Sequence, residues 1–173
     1  MTTILTADEV AAIPQGDLRL LQSEQAQALL AAAIPARVAY VAGDGLPRIV
    51  PTWFRWTGDE LVMPTFVSAP HVPRGARRLT ALRARPDVAV SIDTDDTPPV
   101  VLSLRGRVTV DEVAGVDPDY ADSVRRYMGE EMAAGYLEMI DVPGTVMARI
   151  ALRPTWVGML DFASRPPGSA PAS

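Results

Sequence analysis

Three strand-like segments follow one another between residues 38 and 66 with only tight turns between them, and this succession limits the folds open to the chain. The first is Val38-Ala39-Tyr40-Val41-Ala42, and Gly43-Asp44-Gly45 then turns the chain into the second, residues 47–56. An Asp-Gly pair between runs of β-branched and aromatic residues signals a hairpin, because glycine accepts the positive φ that a tight turn needs. A second turn, Thr57-Gly58-Asp59-Glu60, feeds Leu61-Val62-Met63-Pro64-Thr65-Phe66, so a three-stranded meander is expected. Proline donates no ladder hydrogen bond, which confines Pro51 and Pro64 to edges or bulges; their presence in adjacent strands predicts a sheet that bends.

The rest of the chain adds helices around further strands. Ser23 has the position of an N-cap for a helix over 24–34, rich in Ala, Gln and Leu and ended by Pro35. Residues 67–73 hold two prolines and read as a loop, and an Arg-rich helix over 75–85 stops before Pro86. A strand over 88–92 and an acidic, proline-bearing connection over 93–99 lead to a long alternating run over 100–110. There Leu102, Leu104 and Val108 lie opposite Ser103, Arg105 and Arg107, the pattern of a half-buried strand. Asp117-Pro118 combines a capping side chain with proline at the first helical position and opens a helix expected to reach Ala133 or beyond. Residues 147–152 and 155–160 are the last two expected strands. Strict strand–helix alternation is missing, so the expected fold is mainly β with flanking helices, an antiparallel sheet in a closed or split barrel. The expected organisation is a lead-in over 1–22, one domain over 23–162, and a tail over 163–173 whose Pro, Gly, Ser and Ala predict disorder.

Composition removes whole classes of chemistry. With no Cys there are no disulfides, thiolate metal sites or Cys nucleophiles, and with His71 as the one histidine no site within a single chain can draw on two imidazoles. All 16 basic residues are Arg, which excludes Schiff-base catalysis by lysine. A net charge of -5 and a pI of about 4.8 argue against nucleic acid as the main partner. No apolar run approaches the roughly 18 to 20 residues of a membrane span, and the opening residues lack the pattern of a signal peptide, so the cytoplasm is the expected compartment. No metal site is expected: Asp93, Asp95 and Asp96 read as a solvated turn.

Four pieces then stand in a telling order: Ala39-Tyr40-Val41 with Asp44-Gly45-Leu46-Pro47; Val50-Pro51-Thr52-Trp53-Phe54 with Trp56, Gly58 and Asp59; residues 78–86 with Val88-Ala89-Val90; and Leu104-Arg105-Gly106-Arg107-Val108. Over about residues 20–162 this order resembles the pyridoxamine 5'-phosphate oxidase-like split barrels, which include flavin-dependent and deazaflavin-dependent oxidoreductases. The resemblance implies an antiparallel split β-barrel and a homodimer with FMN or the deazaflavin coenzyme F420 in a groove at the dimer interface. It further implies a cofactor phosphate held by basic and hydroxyl residues.

Carried onto this sequence, the phosphate contacts fall on Thr65 and Ser68 at a strand end and on the cluster Arg74, Arg77 and Arg78. The family usually has a lysine three residues before an Asn-Leu pair; here Arg78 stands at the lysine position and Ala81-Leu82 at the pair, which keeps the charge and loses the amide. Arg77 and Arg83 read instead as a solvated helix face. Pro51, Thr52 and Trp53 would flank the ring, Thr52 offering a hydroxyl to its edge and Trp53 a wall, whereas Trp56 reads as hairpin packing. His71 reads as an exposed loop residue, and Met128 and Met132, four apart, as helix packing. No catalytic acid or base is assigned, since the ring itself would carry the redox step. The expected activity is hydride transfer between the bound cofactor and a small organic substrate, and the alternative is a non-catalytic flavin-binding or carrier protein. The residues leave FMN and F420 both open. Pyridoxamine phosphate oxidation itself is not expected, because Arg153-Pro154-Thr155-Trp156 stands where that enzyme's substrate-phosphate signature would lie.

Overall fold

Two long strands, β7 (Val100–Ala114) and β8 (Val146–Asp161), pair antiparallel from end to end, and every other strand is ordered by them. On one side follow β6 (Asp87–Asp93), β1 (Ala36–Val41) and β2 (Pro47–Thr52); on the other, β4 (Leu61–Val62) and β3 (Arg55–Trp56), with β5 (Thr65–Ser68) also paired to β8. All pairings between these strands are antiparallel. The computed structural model describes residues 4–72 and 75–162, so the expected disorder of 163–173 and the placement of Arg74 lie outside the described residues.

The two expected strands near the end are a single one, interrupted by a bulge. Arg105 faces Trp156 while Gly106 faces Pro154, so Thr155 is the extra residue. Pro154 has no N–H to offer the ladder, and Gly106 lets the backbones close up: a Cβ there would lie 2.5 Å from the Arg153 carbonyl oxygen. Residues 47–56 are, conversely, two strands. After Thr52 the chain leaves β1 and crosses to β4, because Phe54 turns fully into the core and its carbonyl accepts from the Arg126 guanidinium instead of a ladder partner. The expected three-stranded meander therefore does not form; β2 and β3 are the two ends of the sheet. Pro64 splits the next segment, but the Met63 N–H donates to Ile150 at 2.7 Å and keeps β4 and β5 in line along β8. Pro51 lies on the edge strand β2, where its missing donor costs nothing.

The core fills the barrel with Phe54, Leu61, Ile92, Leu102, Leu104 and Leu152, all fully buried. Residues 4–22 are more than a lead-in. They form α1 (Ala7–Ala11) and a 3-10 turn (Leu18–Gln22), and Val10, Ile13 and Leu20 join the same core cluster. The Gln15 side chain donates to the Met159 carbonyl and accepts from its N–H, fastening this segment to β8. Ser23 caps α2 (Glu24–Ala31) as expected, its hydroxyl accepting from the Ala26 N–H. Helix α3 (Arg78–Ala84) buries Leu79 and Leu82. Asp117 accepts from the N–H groups of Asp119 and Tyr120 and opens α4 (Pro118–Met128). This helix ends sooner than expected: Gly129, at φ +81°, breaks it from α5 (Glu130–Ile140). No helix among the described residues is long and apolar enough to cross a membrane.

Two glycine substitutions should move stability in opposite directions. Gly106→Ala must push the Arg153 carbonyl aside and is expected to cost about 1 to 3 kcal/mol. Gly135→Ala, in α5 with no atom within 4 Å of the added Cβ, should gain about 0.5 to 1 kcal/mol. Urea denaturation of the two variants measures both signs.

Candidate functional site

A cleft of about 610 Å³ opens where the chain leaves the sheet edge after Thr52 and where Pro64 separates β4 from β5. Its strand-side wall consists of Pro51, Thr52 and Trp53 from the end of β2, Thr65 and Phe66 from β5, and Arg78 from the start of α3. The opposite wall is helical, with Tyr120 and Met128 from α4 and Tyr136 from α5. Five of the six residues expected to bind a cofactor thus line one cleft. The sixth, Ser68, does not: it is exposed at the far end of β5, where its hydroxyl donates to the Gly144 carbonyl at 3.4 Å. Arg77 is exposed, and Arg83 pairs with Glu112 at 2.7 Å on the surface, in keeping with a solvated helix face.

Arg78 is the charged residue in the cleft lining. Other arginines have found carboxylates: Arg149 binds Glu60 and Asp119, Arg55 binds Asp119 and Asp122, and Arg153 binds Asp59 and Glu60. Arg78 is half-buried and has no hydrogen bond or ion pair among the described residues. It also borders a small cavity in the barrel interior with Val50, Met63 and Tyr40. Burial pulls the guanidinium below its ordinary pKa, and the Tyr40 phenol partly offsets this. A guanidinium remains protonated in such a site, so Arg78 carries its charge and its N–H donors without an anion to neutralise it among the described residues. Holding a desolvated cation this way costs free energy unless an anion joins it.

Aromatic rings set the shape of the cleft. Trp53 stacks on Tyr127 with centroids 4.9 Å apart and planes 4° from parallel, and Tyr127 is fixed in turn by donating to the Ile34 carbonyl at 2.9 Å. The Thr52 hydroxyl donates to the Trp53 carbonyl at 3.2 Å, so toward a ligand it offers lone pairs. Phe66 meets Tyr120 edge-on at 5.6 Å and, on another side, the exposed His71 at 5.0 Å; His71 is not part of the cleft lining. Trp56 packs against the core, as its hairpin-packing reading has it.

The helical wall is what sequence reasoning missed. The hydroxyls of Tyr120 and Tyr136 lie 3.0 Å apart, and burial together with the neighbouring phenol holds Tyr120 far above the usual tyrosine pKa, so it stays protonated. A signal for this wall exists: Tyr120 and Tyr127 stand seven apart, two helical turns, on a helix whose start Asp117-Pro118 marks. Met128 belongs to the cleft and Met132 is exposed, so the two do not share a packing face; the break at Gly129 turns them apart. Asp119, just before Tyr120, accepts from Arg55 at 2.7 Å and from Arg149 at 3.1 Å, which ties the first turn of α4 to β3 and β8. Farther along, Arg126 donates to the carbonyls of Leu30 and Phe54 and lies over the Phe54 ring, clamping α4 to α2 and to the strand crossing; its buried Nε has no partner.

No family model and no curated protein matches the chain. Solved structures do. An F420 reductase is 26% identical, with 76% of this chain and 94% of that one aligned and a TM-score of 0.54. A candidate pyridoxamine 5'-phosphate oxidase from Listeria innocua is 21% identical over 78% and 94% of the two chains, with a TM-score of 0.51. A conserved hypothetical protein from Mycobacterium tuberculosis is 16% identical over 99% and 96%, with a TM-score of 0.56. With its antiparallel eight-stranded sheet, the cleft at its open edge and these structural neighbours, the chain has the split-barrel fold of the pyridoxamine 5'-phosphate oxidase-like proteins.

Proposed function

We propose that the chain is an FMN- or F420-dependent oxidoreductase that transfers a hydride between the bound cofactor and a small organic substrate. The observation that carries this reading is Arg78, a half-buried cation with no counter-ion among the described residues, in a cleft whose remaining lining is mostly aromatic and aliphatic. Both cofactors join a flat tricyclic ring to a phosphate. A guanidinium fits the phosphate and the Trp53 and Pro51 wall fits a ring, so the donor set agrees with the group. The F420 reductase among the structural neighbours supports the same class.

When bound, the flavin or deazaflavin supplies the hydride chemistry. The chain's own residues bind, orient and exclude water. Arg78 binds the phosphate by charge-assisted hydrogen bonds, which are about twice as strong as neutral ones. Pro51 brings no N–H that a ring lying against it would leave unsatisfied. Trp53 is held in place by Tyr127 and serves as a wall that needs no reordering when the ring arrives. Phe66 and Met128 keep water from the reacting face.

We also propose a homodimer that completes the cleft. Supporting it are Val41, Leu46 and Ile49, exposed together on the β1–β2 hairpin, with Ile49 69% accessible. They adjoin a shallow groove of about 550 Å³ lined by Tyr40, Pro47 and Arg105. An apolar strip of this kind on a hairpin marks an association surface.

Arg78→Ala is expected to weaken FMN or F420 binding ten- to a hundredfold, about 1.5 to 3 kcal/mol, while Arg83→Ala changes it by less than about 0.5 kcal/mol. Equal losses at both positions would mean a diffuse field without a specific site. Arg78→Met should also hold or raise the melting temperature in phosphate-free buffer, because a desolvated lone cation is removed. A protein that holds the chromophore yet is not reoxidised by quinone, nitro or enone acceptors would be a carrier. For assembly, sedimentation of the wild type should give a dimer at micromolar concentration, and Ile49→Glu should shift it to a monomer.

A further inference from the structure

Besides the Thr52 and Thr65 hydroxyls, the cleft lining holds polar groups of two kinds: Arg78 supplies a cation, and Tyr120 and Tyr136 supply a pair of hydroxyls from two helices. Each hydroxyl carries one proton, and a bond between the two oxygens consumes only one of them. Whichever tyrosine donates within the pair, the other has a proton left over, and neither hydroxyl has a further partner among the described residues. The Tyr120 phenol stays protonated at neutral pH, since burial and the neighbouring Tyr136 hydroxyl disfavour its phenolate. Phe66 meets the Tyr120 ring edge-on and Met128 lines the same cleft, and neither offers a competing donor or acceptor side chain beyond a weakly accepting thioether.

Resting on the proposed function, we propose that the Tyr120–Tyr136 hydroxyl pair is the substrate-recognition point of the cleft, donating the unspent proton to the oxygen of a neutral, ring-sized carbonyl compound. The phosphate of the cofactor is drawn to the cation, which leaves the hydroxyl pair for the second occupant. A neutral donor favours a neutral acceptor, because an anionic substrate would be desolvated in a cleft whose cation, Arg78, is already taken by the cofactor phosphate. The aromatic and thioether neighbours favour a flat, apolar body. Geometry also holds the donor in place. Asp119 anchors the first turn of α4 through Arg55 and Arg149, so Tyr120 is positioned before any ligand arrives.

The test compares two probes of one shape, 1-tetralone and the hydrocarbon tetralin, by calorimetric titration of the wild type, Tyr120→Phe, Tyr136→Phe and the double variant, each with FMN present and absent. The ketone should bind the wild type more tightly than the hydrocarbon. In the double variant its affinity should fall about tenfold, the value of one lost hydrogen bond to an unsatisfied buried group, with tetralin unchanged. Each single variant retains one donor and should lie between. Equal losses for ketone and hydrocarbon, or no preference for the ketone in the wild type, would overturn the inference. A parallel loss of FMN affinity in the tyrosine variants would assign the pair to the cofactor and overturn it as well. Failure of FMN to bind the wild type would count against FMN as the cofactor and leave the ketone comparison standing, since the ketone preference is read without FMN too. The phenylalanine variants keep the rings, and an unchanged melting temperature confirms that the wall is intact.

Discussion

Everything in this molecule is referred to the pairing of β7 with β8. Fifteen-residue and sixteen-residue strands bonded along their whole lengths give a twisted spine from which β6, β1 and β2 extend one way and β4, β3 and β5 the other. The bulge at Thr155 kinks this spine, and a glycine at 106 and a proline at 154 are the residues that allow it. Because the chain must pass from one flank of the spine to the other between β2 and β3, the sheet ends in open edges there. The cleft lies at that opening, so its existence follows from strand order, independently of the side chains that line it.

Those side chains divide the work between rigidity and exposure. Asp119, Arg55, Arg149 and Glu60 form a connected set of ion pairs that fixes α4 against the strands, and Arg126 fixes the same helix from its other end. Ion pairs of this partly exposed kind contribute little stability individually. Their value here is placement: they hold Tyr120, Tyr127 and Met128 against the open edge. Arg78 stands apart from this network. Carboxylates compensate Arg55, Arg125 and Arg149 around the helix and carbonyls hold Arg126, while Arg78 in the cleft lining has no such partner among the described residues. A half-buried charge without a partner among the described residues is the observation on which the proposed anion site rests.

Much of this was legible in the sequence, for definable reasons. The Asp-Gly turn, the Ser23 and Asp117 caps and the alternation of Leu102, Leu104 and Val108 are local signals, and the elements they mark formed. Pro51-Thr52-Trp53 and Thr65 line the cleft beside strand ends that Pro51 and Pro64 mark, and Arg78 lines it from the first turn of α3. What escaped was non-local. Nothing within residues 47–56 says that Phe54 will be drawn into the core and its carbonyl taken by Arg126, 72 positions away, so one strand was read where two exist. The bulge had the reverse effect: Pro154 looks like an end, yet the partner strand accommodates it. The helical wall escaped because its tyrosines meet the strand side across long stretches of sequence, Tyr120 against Phe66 and Tyr127 against Trp53. The Thr6-to-Glu9 capping box, by contrast, was a readable signal for structure in residues 4–22.

The central claim is that the open edge of the barrel holds a phosphate-bearing flavin or deazaflavin. The most direct measurement is the visible absorbance spectrum of the purified protein titrated separately with FMN and with F420. The account predicts a perturbed spectrum for at least one of them, saturating at one cofactor per chain, with inorganic phosphate competing. Spectra that stay those of the free cofactors at every protein concentration would contradict it.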